Sequence, residues 1–154
     1  MTTVTMIKPV VRPPYLFGGF LVAGLILHVL ESRTLFTHSI STPIIGILFV
    51  ITGIALIISA VRTLNKKQVS PRFKPVGTIV TNGPFAHTRN PMYLAFTLIY
   101  SGIALAINTL WPFVLLPLLL CVMHYGVIQR EERYLEEIFG EKYSNYRRKV
   151  PRWL

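Results

Sequence analysis

Residues 83–107 read GPFAHTRNPMYLAFTLIYSGIALAI, a polar, punctuated segment that runs straight into an apolar one. The junction is Asn90-Pro91. Asn caps free backbone N–H groups with its side chain, and Pro suits the first helical position, where no N–H is needed. A helix is therefore expected to begin at Pro91 and continue to about Asn108. Its free N–H groups and positive dipole end face the polar loop beside His87 and Arg89, a setting suited to an anionic group of a ligand.

Working outward, the apolar character extends through the chain. Of 154 residues 52% are hydrophobic and 14% charged, the mean hydropathy is +0.52, and the apolar residues fall in long blocks. That pattern excludes an ordinary soluble domain and predicts an all-α integral membrane helical bundle. The formal charge of +10 does not indicate nucleic acid, because the basic residues sit between apolar blocks and not on one soluble face. Positive-inside topology accounts for them. No metal site is expected, and the single cysteine, Cys121, is read as packing within an apolar run.

The N-terminal residues to Pro14 do not read as a signal peptide that is removed. Four transmembrane helices are expected. The first spans Tyr15–Leu30, where Gly19 and Ala23 form a small-xxx-small pair for helix packing and His28 serves packing. The second spans Pro43–Val61. A basic segment follows from Arg62 to Arg89 with no acid in it, and VGTIVTNGPF within it suggests an extended segment and turn. The third and fourth helices form a tight hairpin. Pro112–Phe139, 28 residues long, reaches roughly 42 Å against a hydrocarbon core of about 30 Å, so its last turns extend into the cytoplasm; Pro117 is expected to kink it and Gly140 to end it. With both termini and the basic loop cytoplasmic, only Arg33 of the 16 Lys and Arg residues lies on the far side.

The projecting end carries QREERYLEEIFG, residues 129–140. Ile128, Leu135 and Phe139 mark an apolar stripe, and Glu131 and Glu132 fall beside it. Glu136, Glu137 and Arg133 read as a solvated face with an Arg133–Glu137 pair. Since the third helix leaves the same membrane edge to which the fourth returns, Arg89-Asn90-Pro91 and Glu131-Glu132 are expected to meet.

GPFAHTRNPMY, an apolar hairpin, and then REERYLEEIFGEKYSNYRRKVPRWL resemble the C-terminal half of the isoprenylcysteine carboxyl methyltransferase and phospholipid methyltransferase superfamily of integral membrane enzymes. The resemblance covers Gly83 to Arg152 and rests on Gly83, Arg89, Pro91, Tyr93, Glu131, Glu132, Leu135, Phe139, Gly140, Tyr143, Tyr146, Val150, Pro151 and Arg152. Phe85 stands where the family often has Tyr, and Asn90 where familiar members have His, so no imidazole is available at that position. The chain is read as one membrane domain, 1–154, with a variable half to residue 75 and a family-like half from 76.

The resemblance implies S-adenosyl-L-methionine as methyl donor, S-adenosyl-L-homocysteine as product, and a lipid or other lipophilic acceptor in the bilayer. It implies Arg89 and Asn90 as catalytic residues, and Gly77, Val80, Phe85, Asn90, Pro91, Met92, Tyr93, Glu131 and Glu132 as cofactor-binding residues. The acceptor stays open between an isoprenylcysteine-like carboxylate or other small lipophile and an ethanolamine-type phospholipid. A small non-enzymatic membrane protein that binds a lipid or a partner is the remaining alternative. The expected location is a prokaryotic inner membrane.

Overall fold

The computed structural model of the protein describes residues 12–36, 41–67 and 78–154. Among these residues six α-helices form: α1 (Pro13–Leu30), α2 (Ser41–Lys66), α3 (Pro91–Ala106), α4 (Trp111–Met123), α5 (Gln129–Phe139) and α6 (Glu141–Lys149). A 3-10 turn, Gly83–Ala86, precedes α3, and a π-helical segment, His124–Ile128, joins α4 to α5 without a break. No strand forms among the described residues beyond an isolated bridge between Thr34 and Thr109.

Among the described residues three helices are long and apolar enough to cross a membrane: α1, α2 and the continuous run Trp111–Phe139. The fourth expected span is the shorter apolar helix α3. The third apolar helix, α3, has 16 residues, about 24 Å at 1.5 Å per residue, which is shorter than a hydrocarbon core of about 30 Å. It ends early because Asn108 takes a left-handed conformation with φ 56°, which Asn tolerates better than most side chains. The Asn108 amide then accepts from Phe36 N at 3.2 Å and donates to Phe36 O at 2.8 Å, and Trp111 Nε1 donates to Glu31 O at 2.6 Å. These bonds stitch the two loops at that end of the bundle.

The central interface is α2 against α3. Gly46, Gly53 and Ala60 are buried along one side of α2 at intervals of seven, and Ala95 and Gly102 answer them from α3. On the opposite side of α2, Ile44, Ile47, Leu48, Ile51, Ile54 and Ile58 are exposed, the composition of a surface that faces lipid acyl chains. Without a hydrophobic drive between helices in lipid, such an interface depends on close backbone approach. A Cβ at Gly102 would lie 2.6 Å from Gly46 O and 2.9 Å from Val50 N. Gly102→Ala is therefore expected to lower stability by about 1–3 kcal/mol through overpacking against backbone, read from the thermal midpoint in detergent. An unchanged midpoint would mean that the two helices do not approach this closely.

Several local expectations change. Helix α2 runs past Val61 to Lys66 because Leu64 is buried and Thr63 Oγ1 bonds Ser59 O at 2.8 Å, while Lys66 complements the negative end of the helix dipole. In α1 the close-packing small residue is Gly24, whose Cβ would meet Pro112 at 2.9 Å; Gly19 and Ala23 are exposed on another side of the helix. Cys121 also lies exposed rather than packed. The long helix keeps its helical course through Pro117 and departs from α geometry later, at His124.

Two apolar clusters follow from this arrangement. Phe17, Tyr93, Tyr100, Leu119, Met123, Val127 and Ile128 form the core of α1, α3 and the long helix, with Trp153 packed on its edge. Tyr143, Tyr146 and Val150 of α6 and its exit form the second, with Ile79, Leu135 and Phe139. The polar site lies where the two clusters adjoin.

Candidate functional site

The loop that opens the site is shaped by Gly83. Its φ of +60° lies in the region that favours glycine, and a Cβ there would meet Thr63 Oγ1 at 2.8 Å. The following 3-10 turn brings Phe85 O to the Tyr146 hydroxyl, which donates to it at 2.7 Å. Burial pushes the Tyr146 hydroxyl up to about 12 and raises Tyr143 as well, so both phenols stay protonated donors. The loop thus rests on α6 and on the end of α2.

Pro91 is buried at the first position of α3, as its fixed φ favours. Asn90 precedes it, but its side chain makes no capping bond. Its Nδ2 instead donates to Arg152 O at 3.0 Å. Thr88, almost wholly buried, takes the local role: its Oγ1 accepts from Asn90 N at 3.2 Å and donates to Arg152 O at 3.0 Å. Arg89 N completes the seam by donating to Pro151 O at 3.0 Å. The expected cap is absent: the side chain is turned to donate to the Arg152 carbonyl, and Oδ1 makes no bond to the first turn of α3.

Successive residues on α5 point about 100° apart, and the two adjacent acids accordingly have different partners. Tyr93 donates from its hydroxyl to Glu131 Oε1 at 2.6 Å. Glu132 receives Arg89 NH1 at 2.7 Å on Oε1, and Arg152 on both oxygens, Nε at 2.9 Å and NH2 at 2.7 Å. The Arg89 and Glu132 side chains are only 9% and 10% exposed, whereas Arg152 is 30% exposed. Its paired hydrogen bonds to Glu132 raise the pKa of Arg152 further above its ordinary value. Two guanidiniums and one carboxylate share this site, with Tyr143 Oη 3.4 Å from Arg89 NH1.

Arg89, Asn90, Pro91, Tyr93, Glu131 and Glu132 are thus brought to one place. Met92 is half-buried in the first turn of α3, Val80 is buried, and Phe85 contributes its carbonyl to the loop support. Gly77 lies outside the described residues. His87 is exposed. Further along, Glu136 bonds Arg147 at 3.0 Å and Ser144 at 3.1 Å, so the surface pair runs from α5 to α6 and is not the expected Arg133–Glu137.

Three residues of the site carried no role in the sequence reading: Thr88, His124 and Arg152. Arg152 figured only as a match in the V-P-R ending, 20 positions beyond its carboxylate partner. His124 showed no periodic signal, because the π segment that turns it toward Arg152 has no recognisable residue pattern. Among the described residues no group of three or more His, Cys, Asp or Glu side chains is arranged to hold a metal.

A family model described as phospholipid methyltransferase matches residues 41–142. The chain is 34% identical over 73 residues to a protein-S-isoprenylcysteine O-methyltransferase of Schizosaccharomyces pombe, covering 47% of this chain and 31% of that protein. It is 32% identical over 74 residues to the cobalt-zinc-cadmium resistance protein CzcN of Cupriavidus metallidurans, covering 48% and 34% respectively. An uncharacterized protein of Haemophilus influenzae is 36% identical over 63 residues, its whole length and 41% of this chain. The chain spans about a third of the length of the first two relatives. No solved structure matches it significantly.

Proposed function

The chain belongs to the phospholipid methyltransferase family, and from that premise we propose that it is a membrane methyltransferase that moves a methyl group from S-adenosyl-L-methionine to a lipophilic acceptor at the membrane edge. The donor supplies a methyl on a sulfonium, so transfer needs alignment and exclusion of water more than covalent help from the protein. The observation that carries the reading is the junction of two distant segments, with Tyr93 on Glu131 and Arg89 on Glu132.

The residues present fit that donor. Arg89 Nε is buried and meets no acceptor, an expensive state for a charged donor. A carboxylate such as that of the methionine moiety relieves it. Glu131 has one hydrogen bond among the described residues, from a neutral phenol, which leaves its charge for an ammonium or for ribose hydroxyls. In this reading Asn90 and the backbone from Val80 to Phe85 hold the donor from one side, with Pro91 and Met92 at the start of α3. Arg89 and Asn90 then act by position and charge; neither is suited to carry a proton.

The isoprenylcysteine relative favours a carboxylate acceptor and the family model a phospholipid headgroup. The membrane reading places both termini and the basic segment on the cytoplasmic side of an inner membrane, which reporter fusions at the two termini test. For the activity, S-adenosyl-L-homocysteine is expected to raise the thermal midpoint of the purified protein, since a ligand that binds only the folded state stabilises it. Labelled methyl from S-adenosyl-L-methionine should then enter a membrane lipid extract, with the product identified by mass. No stabilisation at saturating S-adenosyl-L-homocysteine would favour a non-enzymatic lipid-binding protein.

A further inference from the structure

We infer that Arg152 is a positioning residue that acts through Glu132 on Arg89: by occupying both oxygens of that carboxylate it keeps Arg89 from being neutralised there, and so makes the site select a ligand that carries a carboxylate. The inference deepens the reading proposed above and rests on it for the identity of that ligand. Glu132 has two oxygens, and the two arginines use them unequally. Arg152 spans both, with Nε 2.9 Å from Oε1 and NH2 2.7 Å from Oε2, the parallel pairing that a planar guanidinium makes best with a carboxylate. Arg89 approaches Oε1 through NH1 at 2.7 Å, on the oxygen that Arg152 Nε already uses. Its own Nε is buried and meets no acceptor.

The charges of the cluster follow the same division. Two guanidiniums meet one carboxylate, while the neighbouring acid, Glu131, is engaged by the Tyr93 hydroxyl. Glu132 paired with Arg89 alone would form a balanced couple, and Arg89 would have little remaining attraction for a further anion. Arg152 adds the second positive charge. A ligand carboxylate at Arg89 then sets two anions against two cations, in a place where the Arg89 side chain is 9% exposed and an unbalanced charge is costly.

The Arg152 side chain is separable from the strap that delivers it. This C-terminal strap, residues 150–153, is held through its backbone and its apolar side chains. Arg89 N donates to Pro151 O, and Thr88 Oγ1 and Asn90 Nδ2 both donate to Arg152 O. Val150 is buried with Tyr143 and Tyr146, and Trp153 packs against the core cluster of α1, α3 and the long helix. None of these contacts uses the guanidinium. Arg152 is also the most exposed member of the cluster, at 30%, and replacing it leaves Glu132 still paired with Arg89.

Arg152→Gln should therefore give Glu132 over to Arg89, which is tested first without any ligand. In the parent, Arg89→Gln leaves Glu132 paired with Arg152 and should lower the thermal midpoint only slightly. In the Arg152→Gln background the same change leaves a buried carboxylate with no cation, and the fall should be much larger. Equal falls in the two backgrounds overturn the proposal. The second test compares S-adenosyl-L-homocysteine with its decarboxylated analogue, which keeps the ammonium and lacks the carboxylate. Arg152→Gln should weaken S-adenosyl-L-homocysteine roughly tenfold and leave the analogue unchanged, with Arg152→Lys, which keeps the charge and loses the paired geometry, in between. Weakening of both compounds together, as a structural role alone would produce, overturns the proposal, and so does an unchanged preference between them. The chain has two tryptophans, so in a Trp111→Phe background the emission of Trp153 reports on the strap. It should be the same in Arg152→Gln as in the parent; a red shift would show that the guanidinium itself holds the strap and would overturn the proposal. If Arg152→Gln fails to fold, Arg152→Lys carries the same comparisons. A parent that binds neither compound counts against the functional reading, and the thermal comparison then decides whether Arg152 shares Glu132 with Arg89.

Discussion

Glu132→Gln is expected to lower the stability of the folded chain by about 3–5 kcal/mol, the range for breaking a buried ion pair by removing one partner. The carboxylate is the one anion bonded to both guanidiniums, and Arg89 at 9% exposed has no access to compensating water. The uncharged amide keeps the shape yet leaves two cations facing each other, so the expected loss is that of an orphaned buried charge rather than of a single hydrogen bond. Glu136→Gln is the matched comparison on the same helix. Its partner Arg147 is half exposed, and a solvated pair is worth about 0–1 kcal/mol. Adding Arg89→Gln to Glu132→Gln should recover part of the loss, because the orphaned charge is removed with its partner. Unfolding in detergent measures all four proteins. If Glu132→Gln lies within about 1 kcal/mol of the parent, the cluster is solvated and the buried triad is wrong.

Glu131→Gln should behave in the opposite way, leaving stability close to the parent while weakening S-adenosyl-L-homocysteine binding roughly ten- to a hundredfold through one lost charge-assisted hydrogen bond. Glu131 bonds a phenol and no cation, so the amide orphans no charge, and Tyr93 can donate to its carbonyl oxygen. Tyr93→Phe separates positioning from charge: it removes the bond that orients Glu131 but keeps the carboxylate, and should cost less affinity than Glu131→Gln. Glu136→Gln and Glu137→Gln should bind as the parent does. Calorimetry with S-adenosyl-L-homocysteine gives the ranking. Parent-like affinity in Glu131→Gln would make that carboxylate structural and move the cofactor site elsewhere.

These two results test a distinction that the sequence could state but not assign. Adjacent acids on a helix must diverge, which follows from 3.6 residues per turn. That one meets a cation and the other does not depends on which elements lie beside α5, and the decisive partner, Arg152, arrives from beyond another helix. The same competition explains Asn90. Its position before Pro91 marked the start of α3 correctly, yet its side chain is oriented by donating to Arg152 O and does not accept from the N–H groups of the helix it precedes. A local propensity yields where a bond to a distant group fixes the side chain in another orientation.

From the sequence alone came the apolar blocks and hence a helical membrane chain, the Pro91 helix start, the stop of the long helix at Gly140, and the meeting of Arg89-Asn90-Pro91 with Glu131-Glu132. Each of these depends on composition, on period or on a backbone conformation that few residues adopt, and such properties are local. Only the tertiary structure decided that α3 stops at 16 residues, that Gly46, Gly53 and Gly102 form the close interface while Gly19 and Ala23 face away, and that the C-terminal strap carries the second arginine to Glu132. The π segment belongs with these. Its single-residue slip has no signature in the residues His124–Ile128.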